Sequence, residues 1–146
     1  MAKVIYSEID NNPLFSGLAE VLPDISYSTA HPELKMTLIF PQAARRLDDG
    51  RSYPTIVFVQ GSGWTSPNIY YEIPQLSRFA QLGYIVATLT HRSALDGHRA
   101  PAFLEDVKTA IRFLREKADE YKVDPHRIGI LGTSSGGNTA LLAGLT

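Results

Sequence analysis

The chain has 146 residues and no cysteine, and its formal net charge is −1 at pH 7. The length suits a single domain covering residues 1–146, and the balanced charge gives no support for a nucleic-acid partner. The longest apolar runs are strand-sized, which excludes a membrane span, and the lack of cysteine excludes disulfides, zinc–thiolate sites and a thiol nucleophile.

The N-terminal residues, up to about Asp24, have mixed polarity and are interrupted by Pro13 and Pro23, so they predict no regular element. The first eight residues contain neither an apolar core nor a small-residue cleavage site. A secretory signal is therefore not indicated, and we expect a cytoplasmic protein.

Two antiparallel strands are predicted next, over Ile25–Thr29 and Lys35–Phe40, with a turn at residues 31–33. Their partial alternation of apolar and polar residues is typical of strands with one solvated face. The polar stretch Ala43–Tyr53 contains Asp48-Asp-Gly50 and predicts a loop.

Beyond that loop, short apolar runs alternate with segments of helical periodicity. The runs are Thr55–Val59, Tyr84–Leu89 and Arg127–Leu131. Nearly continuous apolar strands are typical of a parallel sheet that helices cover on both faces. Helices are predicted over Tyr71–Leu82, ending at Gly83, and over Ala102–Tyr121. This order predicts an α/β fold, with a mostly parallel sheet, an antiparallel N-terminal hairpin and flanking helices.

The longer helix has one apolar face with a period of 3.6 residues. The residues on this face are Phe103, Val107, Ile111, Leu114, Ala118 and Tyr121. We expect this face to pack on the sheet.

The segment Gly132-Thr-Ser-Ser-Gly136 stands between the last apolar run and another helix-forming stretch. A strand–turn–helix setting gives a G-x-S-x-G pattern its meaning as a nucleophile elbow, because the serine needs a strained backbone and neighbours without side chains. Ser134 has glycine at both required positions and is the predicted nucleophile. The alternative is a small-residue turn without chemistry.

A second small-residue segment, Gln60-Gly-Ser-Gly-Trp64, follows the buried strand that ends at Val59. Small residues allow backbone amides to approach a substrate carbonyl, where such donors stabilise the developing oxyanion. The amides of Gly61 and Ser62 are therefore candidate oxyanion donors. The alternative is a flexible turn in which Trp64 serves packing.

With these motifs the chain resembles the α/β-hydrolase fold, within the esterase/lipase group of hormone-sensitive-lipase-like enzymes, acetyl esterases and feruloyl-esterase-like proteins. The resemblance runs from about Ile25 to the last residue. It depends on the Gln60 segment, on His91-Arg92, on the long helix and on the elbow. The family's first motif usually reads His-Gly-Gly-Gly, whereas this sequence has Gln60 and Ser62 at two of those positions.

The resemblance implies a truncated α/β-hydrolase domain that hydrolyses small-molecule carboxylic esters through an acyl-enzyme at Ser134. It implies that the amide of Ser135 joins those of Gly61 and Ser62 in the oxyanion hole, and that no metal or cofactor takes part. The family's acid and histidine follow the nucleophile in the order Ser, Asp, His. We therefore expect this sequence to hold the N-terminal half of the domain and to be nearly inactive alone.

The four histidines of the sequence all precede Ser134. They are His31, His91, His98 and His126. The first and last are predicted surface residues. His91, which follows a predicted strand at its carboxyl end near the site, or His98 in the next loop could form a substitute Ser–His pair. The carboxylates Asp96, Glu105 and Asp106 have ordinary roles at turns and helix starts.

Two other functions remain open at this point. One is a serine peptidase or dienelactone-type hydrolase of the same fold, and the other is a non-catalytic interaction module that retains the elbow.

The sequence also carries an expectation about assembly. If no strand follows, residues Ile128–Leu131 form an exposed apolar sheet edge, which predicts self-association.

Overall fold

The structure is a computed structural model that describes residues 17–146. The predictions made for the first eight residues and for Pro13 lie outside the described residues, as does the start of the predicted single domain.

A mixed sheet of five strands forms the centre of the described chain, in the order β1-β2-β4-β3-β5. The strands are β1 (Ala19–Ser26), β2 (Lys35–Pro41), β3 (Tyr53–Val59), β4 (Ile85–Leu89) and β5 (Val123–Gly132). β2 pairs antiparallel with β1 and β4, while β3 pairs parallel with β4 and β5. The predicted α/β class is confirmed, with its N-terminal hairpin and its parallel strands.

The first strand differs from its prediction. β1 begins at Ala19 rather than Ile25 and ends at Ser26, so it includes Pro23, which the sequence indicated as an interruption. Proline is tolerated in β1 because an edge strand does not need every amide for pairing. Asp24 has a positive φ of 59°, and the register with β2 shifts between Leu22 and Ile25. This irregularity has the character of a β-bulge, which re-aims an edge strand.

Five α-helices flank the sheet in the described residues. They are α1 (Gln42–Arg45), α2 (Ile73–Gln81), α3 (Ala102–Glu116), α4 (Ala118–Tyr121) and α5 (Ser134–Leu145). α1 lies where a loop was predicted, and α2 confirms its prediction. The single helix predicted over Ala102–Tyr121 is divided at Lys117, whose φ and ψ of −98° and 21° leave the helical region. Lys122, at φ 57°, then ends α4 in the left-handed conformation.

The helices pack on both faces of the sheet. α3 covers one face with Phe103, Val107 and Leu114 buried, as its apolar stripe predicts, although Ile111 and Tyr121 are only half-buried. α2 covers the other face. Its core residues Leu76 and Ala80 cluster with Ile39, Phe58 and Val86 of the sheet. Burial on both faces explains why the strand sequences are apolar without strict alternation.

The parallel strands β3 and β5 determine where the functional segments meet. Val59 at the end of β3 is paired in register with Gly132 at the end of β5. The chain leaves both strands at their carboxyl ends, which lie at one edge of the sheet, the usual place for ligand sites in α/β folds. The Gln60 segment and the elbow are therefore neighbours in space.

Candidate active site

Ser134 lies at the junction of β5 and α5, where the strand ends at Gly132 and the helix begins at Ser134 itself. Its φ is 49°, a conformation that a residue with a side chain rarely adopts, and it is exposed to solvent. Strain of this kind persists only where the surrounding structure maintains it, and it often marks functional positions. The turn thus has the geometry of a nucleophile elbow.

The glycines beside Ser134 are required by close backbone packing. A Cβ on Gly136 would lie 2.0 Å from the carbonyl oxygen of Val59, and a Cβ on Gly132 would lie 2.3 Å from that of Gly136. Both distances are far below any van der Waals contact. The turn therefore packs directly against the end of β3, and only glycine fits at either position.

The Gln60 segment is hydrogen-bonded to the side chains on either side of Ser134. The amide of Gly61 donates to Oγ1 of Thr133 at 3.0 Å. The amides of Ser62 and Trp64 both donate to the buried Oγ of Ser135, at 3.0 and 3.3 Å. These two hydroxyls thus hold the loop against the elbow. Sequence reasoning missed this role, although the hydroxyl-bearing residues flanking the serine were a visible signal.

This arrangement bears on the predicted oxyanion donors. The amides of Gly61 and Ser62 already have side-chain acceptors, whereas within residues 17–146 no hydrogen bond uses the amide of Ser135. The Ser135 amide, at the N-terminus of α5, therefore has no acceptor among these residues, and its role as an oxyanion donor stays a prediction. The roles of Gly61 and Ser62 stay predictions, since each amide would have to exchange its acceptor or share its hydrogen.

Gln60 braces the same loop from the other side. Its Nε2 donates to Glu72 at 2.8 Å, and its Oε1 accepts from the amide of Asn68 at 2.6 Å. The side chain is buried, with 8% of its surface exposed, so these bonds are shielded from water. Gln60 thus supplies hydrogen bonds at the position where the resembled family usually has histidine.

Neither of the histidines near the predicted site contacts the nucleophile through a hydrogen bond. His91 is buried, and its Nδ1 lies 2.9 Å from the carbonyl oxygen of Arg92, so Nδ1 must carry the proton. Its ring meets Phe103 edge-on at 6.2 Å. In the part of the chain that the structure describes, no histidine or carboxylate is hydrogen-bonded to Ser134. The structure does not bring a Ser–His pair together there.

The carboxylates near the start of α3 serve the fold. Asp106 is buried and accepts from the backbone amide and the Nε of Arg92, at 2.7 and 2.9 Å. Glu105 also accepts from Arg92, at 3.1 Å. This ion pair fixes the loop after β4 to α3. Next to it, burial and then the charge of Asp106 raise the pKa of Tyr27, which keeps its hydroxyl protonated as a donor to the carbonyl of Thr90.

A metal-binding cluster and a membrane-spanning helix are both absent from the described residues. No three His, Asp or Glu side chains among them come together in a way that could hold a metal ion. None of the helices between residues 17 and 146 combines the length and hydrophobicity that crossing a membrane requires.

Comparison with known protein families decides the ancestry of the chain. Residues 44–146 match the BD-FAE family, which consists of α/β-hydrolase esterases. The chain belongs to this family. As a BD-FAE member it is also similar to esterase LipC of Mycobacterium tuberculosis, with 36% identity over 94 residues, which are 64% of this chain and 23% of LipC.

Solved structures of esterases share the fold. Butyrate-bound esterase 2 of Thermogutta terrifontis has a TM-score of 0.72 and 30% identity over 84% of this chain and 42% of that chain. The same esterase phosphonylated by sarin has a TM-score of 0.72 and 29% identity, over 84% and 43%. The predicted family and α/β-hydrolase fold are thereby confirmed. The BD-FAE chain spans about a quarter of the curated relatives it matches, at 23% and 24% of LipC and LipQ.

Proposed function

We propose that this chain carries the nucleophile of a carboxylic-ester hydrolase, with Ser134 as the attacking residue. The observation that carries the proposal is the exposed Ser134 with its φ of 49° at the start of α5. Relatives such as LipC are esterases, and a related structure is an esterase phosphonylated by sarin. Both support the assignment.

In the proposed reaction, Oγ of Ser134 attacks the carbonyl carbon of a small-molecule ester as its proton passes to a base. The carbonyl oxygen becomes negatively charged and then re-forms the double bond as the alcohol leaves with a proton. Water attacks the acyl group on Ser134, releases the acid and restores the hydroxyl. The amide of Ser135 and the dipole of α5 favour the negative charge, with Gly61 and Ser62 as further donors.

The base is the missing part of this mechanism among the described residues. A serine hydroxyl without a base is a weak nucleophile. In a serine protease that has lost a triad member, substrate binding and the oxyanion hole still accelerate the reaction about 10³–10⁴-fold over water. We therefore propose that this chain alone reacts slowly. In the whole protein, the acid and histidine that the family resemblance implies would supply the base.

Covalent labelling tests the proposal. The 146-residue chain is incubated with a fluorophosphonate, and the modified residue is located by mass spectrometry of its peptides. We expect slow, stoichiometric labelling at Ser134 that Ser134→Ala abolishes. Ser135→Ala is the matched control, since it should still be labelled at Ser134. Labelling of Ser135, or no labelling even in the whole protein, would contradict the proposal and favour a non-catalytic module.

We also propose that the chain self-associates through β5. Within residues 17–146, β5 pairs only with β3, and its outer edge includes Leu131, which is 42% exposed. Unpaired edge strands template pairing with another chain. Light scattering should report dimers or larger species, and Leu131→Lys should reduce them. The control is Leu95→Lys, at another exposed leucine. A monodisperse monomer before any substitution would refute association.

A cytoplasmic location stays a proposal from the sequence.

A further inference from the structure

A largely apolar cavity of about 590 Å³ lies between the Gln60 segment, the start of α3 and α5. Trp64, Phe103 and Leu142 line it, and the rings of Trp64 and Phe103 lie 5.8 Å apart at an interplanar angle of 32°. The amide of Trp64 is bonded to Oγ of Ser135. Asn138, which also lines the cavity, lies one helical turn after Ser134 on the same side of α5. The cavity is thus adjacent to the nucleophile, and its volume is ordinary for a small-molecule site.

Among residues 17–146, the wall of the cavity carries one cation without a counterion. His98 and Arg99 both lie at its wall, but His98 also lines a neighbouring cavity together with Glu33, so a carboxylate lies near the imidazole. The exposed guanidinium of Arg99 makes no ion pair or hydrogen bond with any residue from 17 to 146. By contrast, Arg92 in the same loop is paired with two carboxylates.

The chemistry of an arginine limits what this cation can recognise. A guanidinium stays charged at all ordinary pH values, and its planar fork of donors matches a carboxylate in a bidentate arrangement. The aromatic walls meanwhile favour a ring or another flat apolar group. A ligand that satisfies both parts of the cavity therefore has an apolar body and an anionic end.

We propose that this cavity binds the part of the ester substrate that carries an aromatic or similar apolar group ending in a carboxylate. The ring packs against Trp64 and Phe103, and the carboxylate pairs with Arg99. The inference depends on the proposed function only for placing this group in an ester. The ligand preference of the cavity is measurable without turnover.

Trp64 is the only tryptophan of the sequence, so its fluorescence reports on the cavity directly. The 146-residue chain is titrated with 4-phenylbutyrate and with its neutral analogue 4-phenylbutyramide, and equilibrium dialysis of both compounds serves as a second readout. We expect saturable binding of both, with the carboxylate bound about three- to fivefold more tightly at low salt, because an exposed ion pair contributes modestly. High salt should remove this preference.

Three variants separate the contributions of the Arg99 charge and of the aromatic wall to ligand binding. Arg99→Gln should abolish the preference for the carboxylate and leave binding of the amide unchanged. Phe103→Ala should weaken both ligands to a similar extent. Arg112→Gln removes the same charge from an exposed position that lines a different cavity, and it should leave the preference intact.

Failure of the carboxylate-binding inference can be distinguished from failure of the proposed esterase function. Equal affinity for the two compounds, a preference that persists in Arg99→Gln, or no saturable binding by either readout overturns the inference. If fluorophosphonate still labels Ser134 in that case, the esterase proposal survives. If the preference is present but Ser134 is never labelled, the cavity is a carboxylate-binding site in a protein without the proposed activity.

Discussion

The tight packing of the elbow predicts that a single methyl group at position 136 is strongly destabilising. In Gly136→Ala the new Cβ would lie 2.0 Å from the carbonyl oxygen of Val59 and 2.7 Å from that of Gln60. Ordinary contact begins at 3.4 Å. Both opposing atoms belong to the backbone, so no side-chain rotation relieves the overlap. The first turn of α5 must move away from the end of β3.

That movement breaks the hydrogen bonds that join the elbow to β3 and its loop. The bonds are Thr133 N to Val59 O at 3.2 Å, Gly61 N to Thr133 Oγ1 at 3.0 Å, and Ser62 N to Ser135 Oγ at 3.0 Å. At about 1 kcal/mol each, their loss lowers the free energy of unfolding by about 3 kcal/mol. Residual overpacking adds about 1–3 kcal/mol. This is a large part of the stability of a typical domain.

Gly144→Ala is the matched control within the same helix. A Cβ there meets nothing closer than the side chain of Ile130 at 3.9 Å, and alanine is favoured over glycine in a helix by up to about 1 kcal/mol. Urea unfolding followed by circular dichroism measures both variants. We expect Gly144→Ala to be neutral or slightly stabilising. Similar free energies of unfolding for Gly136→Ala and the unsubstituted chain would refute the packing argument.

Two predictions concern charged groups away from Ser134. Asp106→Asn should lower the free energy of unfolding by about 3 kcal/mol, because it leaves the half-buried Arg92 without its main counterion. Glu105→Gln, at the exposed partner, should cost less than about 1 kcal/mol in the same urea titration, and equal losses would contradict the ranking. Hydrogen bonding from Tyr53 lowers the pKa of Asp49 from 3.8 to about 2. A depressed pKa stabilises the fold above pH 4 and ceases to do so as pH falls through about 2. Asp49→Asn should therefore flatten stability against pH between 4 and 2, and an unchanged profile would exclude this carboxylate as the cause.

Most of the sheet and helices could be predicted because the hydrophobic pattern of each segment follows from how that segment alone is buried. The continuous apolar runs that became β3 and β4 reflect burial on both faces, and the 3.6-residue stripe of α3 reflects packing on one. The signal for the elbow was also contained in a short stretch of sequence, because glycine is required at 132 and 136 where the turn has no room for a side chain.

The parts that were missed depend on tertiary context. The start of β1 could not be located because Pro23 is compatible with an edge strand and incompatible with a central one, and the sequence does not reveal which strand is at the edge. The break of the long helix at Lys117 has no glycine or proline to mark it. The loop-holding hydroxyls of Thr133 and Ser135 act across more than 70 residues of sequence, so no local pattern could pair them with the Gln60 segment.

Those hydroxyls also bear on how the proposed hole would function. Without substrate, the half-buried amides of Gly61 and Ser62 bond to the neutral hydroxyl oxygens of Thr133 and Ser135. A neutral ester carbonyl offers nothing better, but an oxyanion does, because hydrogen bonds to charged acceptors are roughly twice as strong. An exchange of acceptors would then become favourable only as charge develops. Since catalysis requires interactions that are stronger in the transition state than in the ground state, amides held by the hydroxyls of Thr133 and Ser135 would serve the proposed oxyanion hole without also stabilising the bound ester.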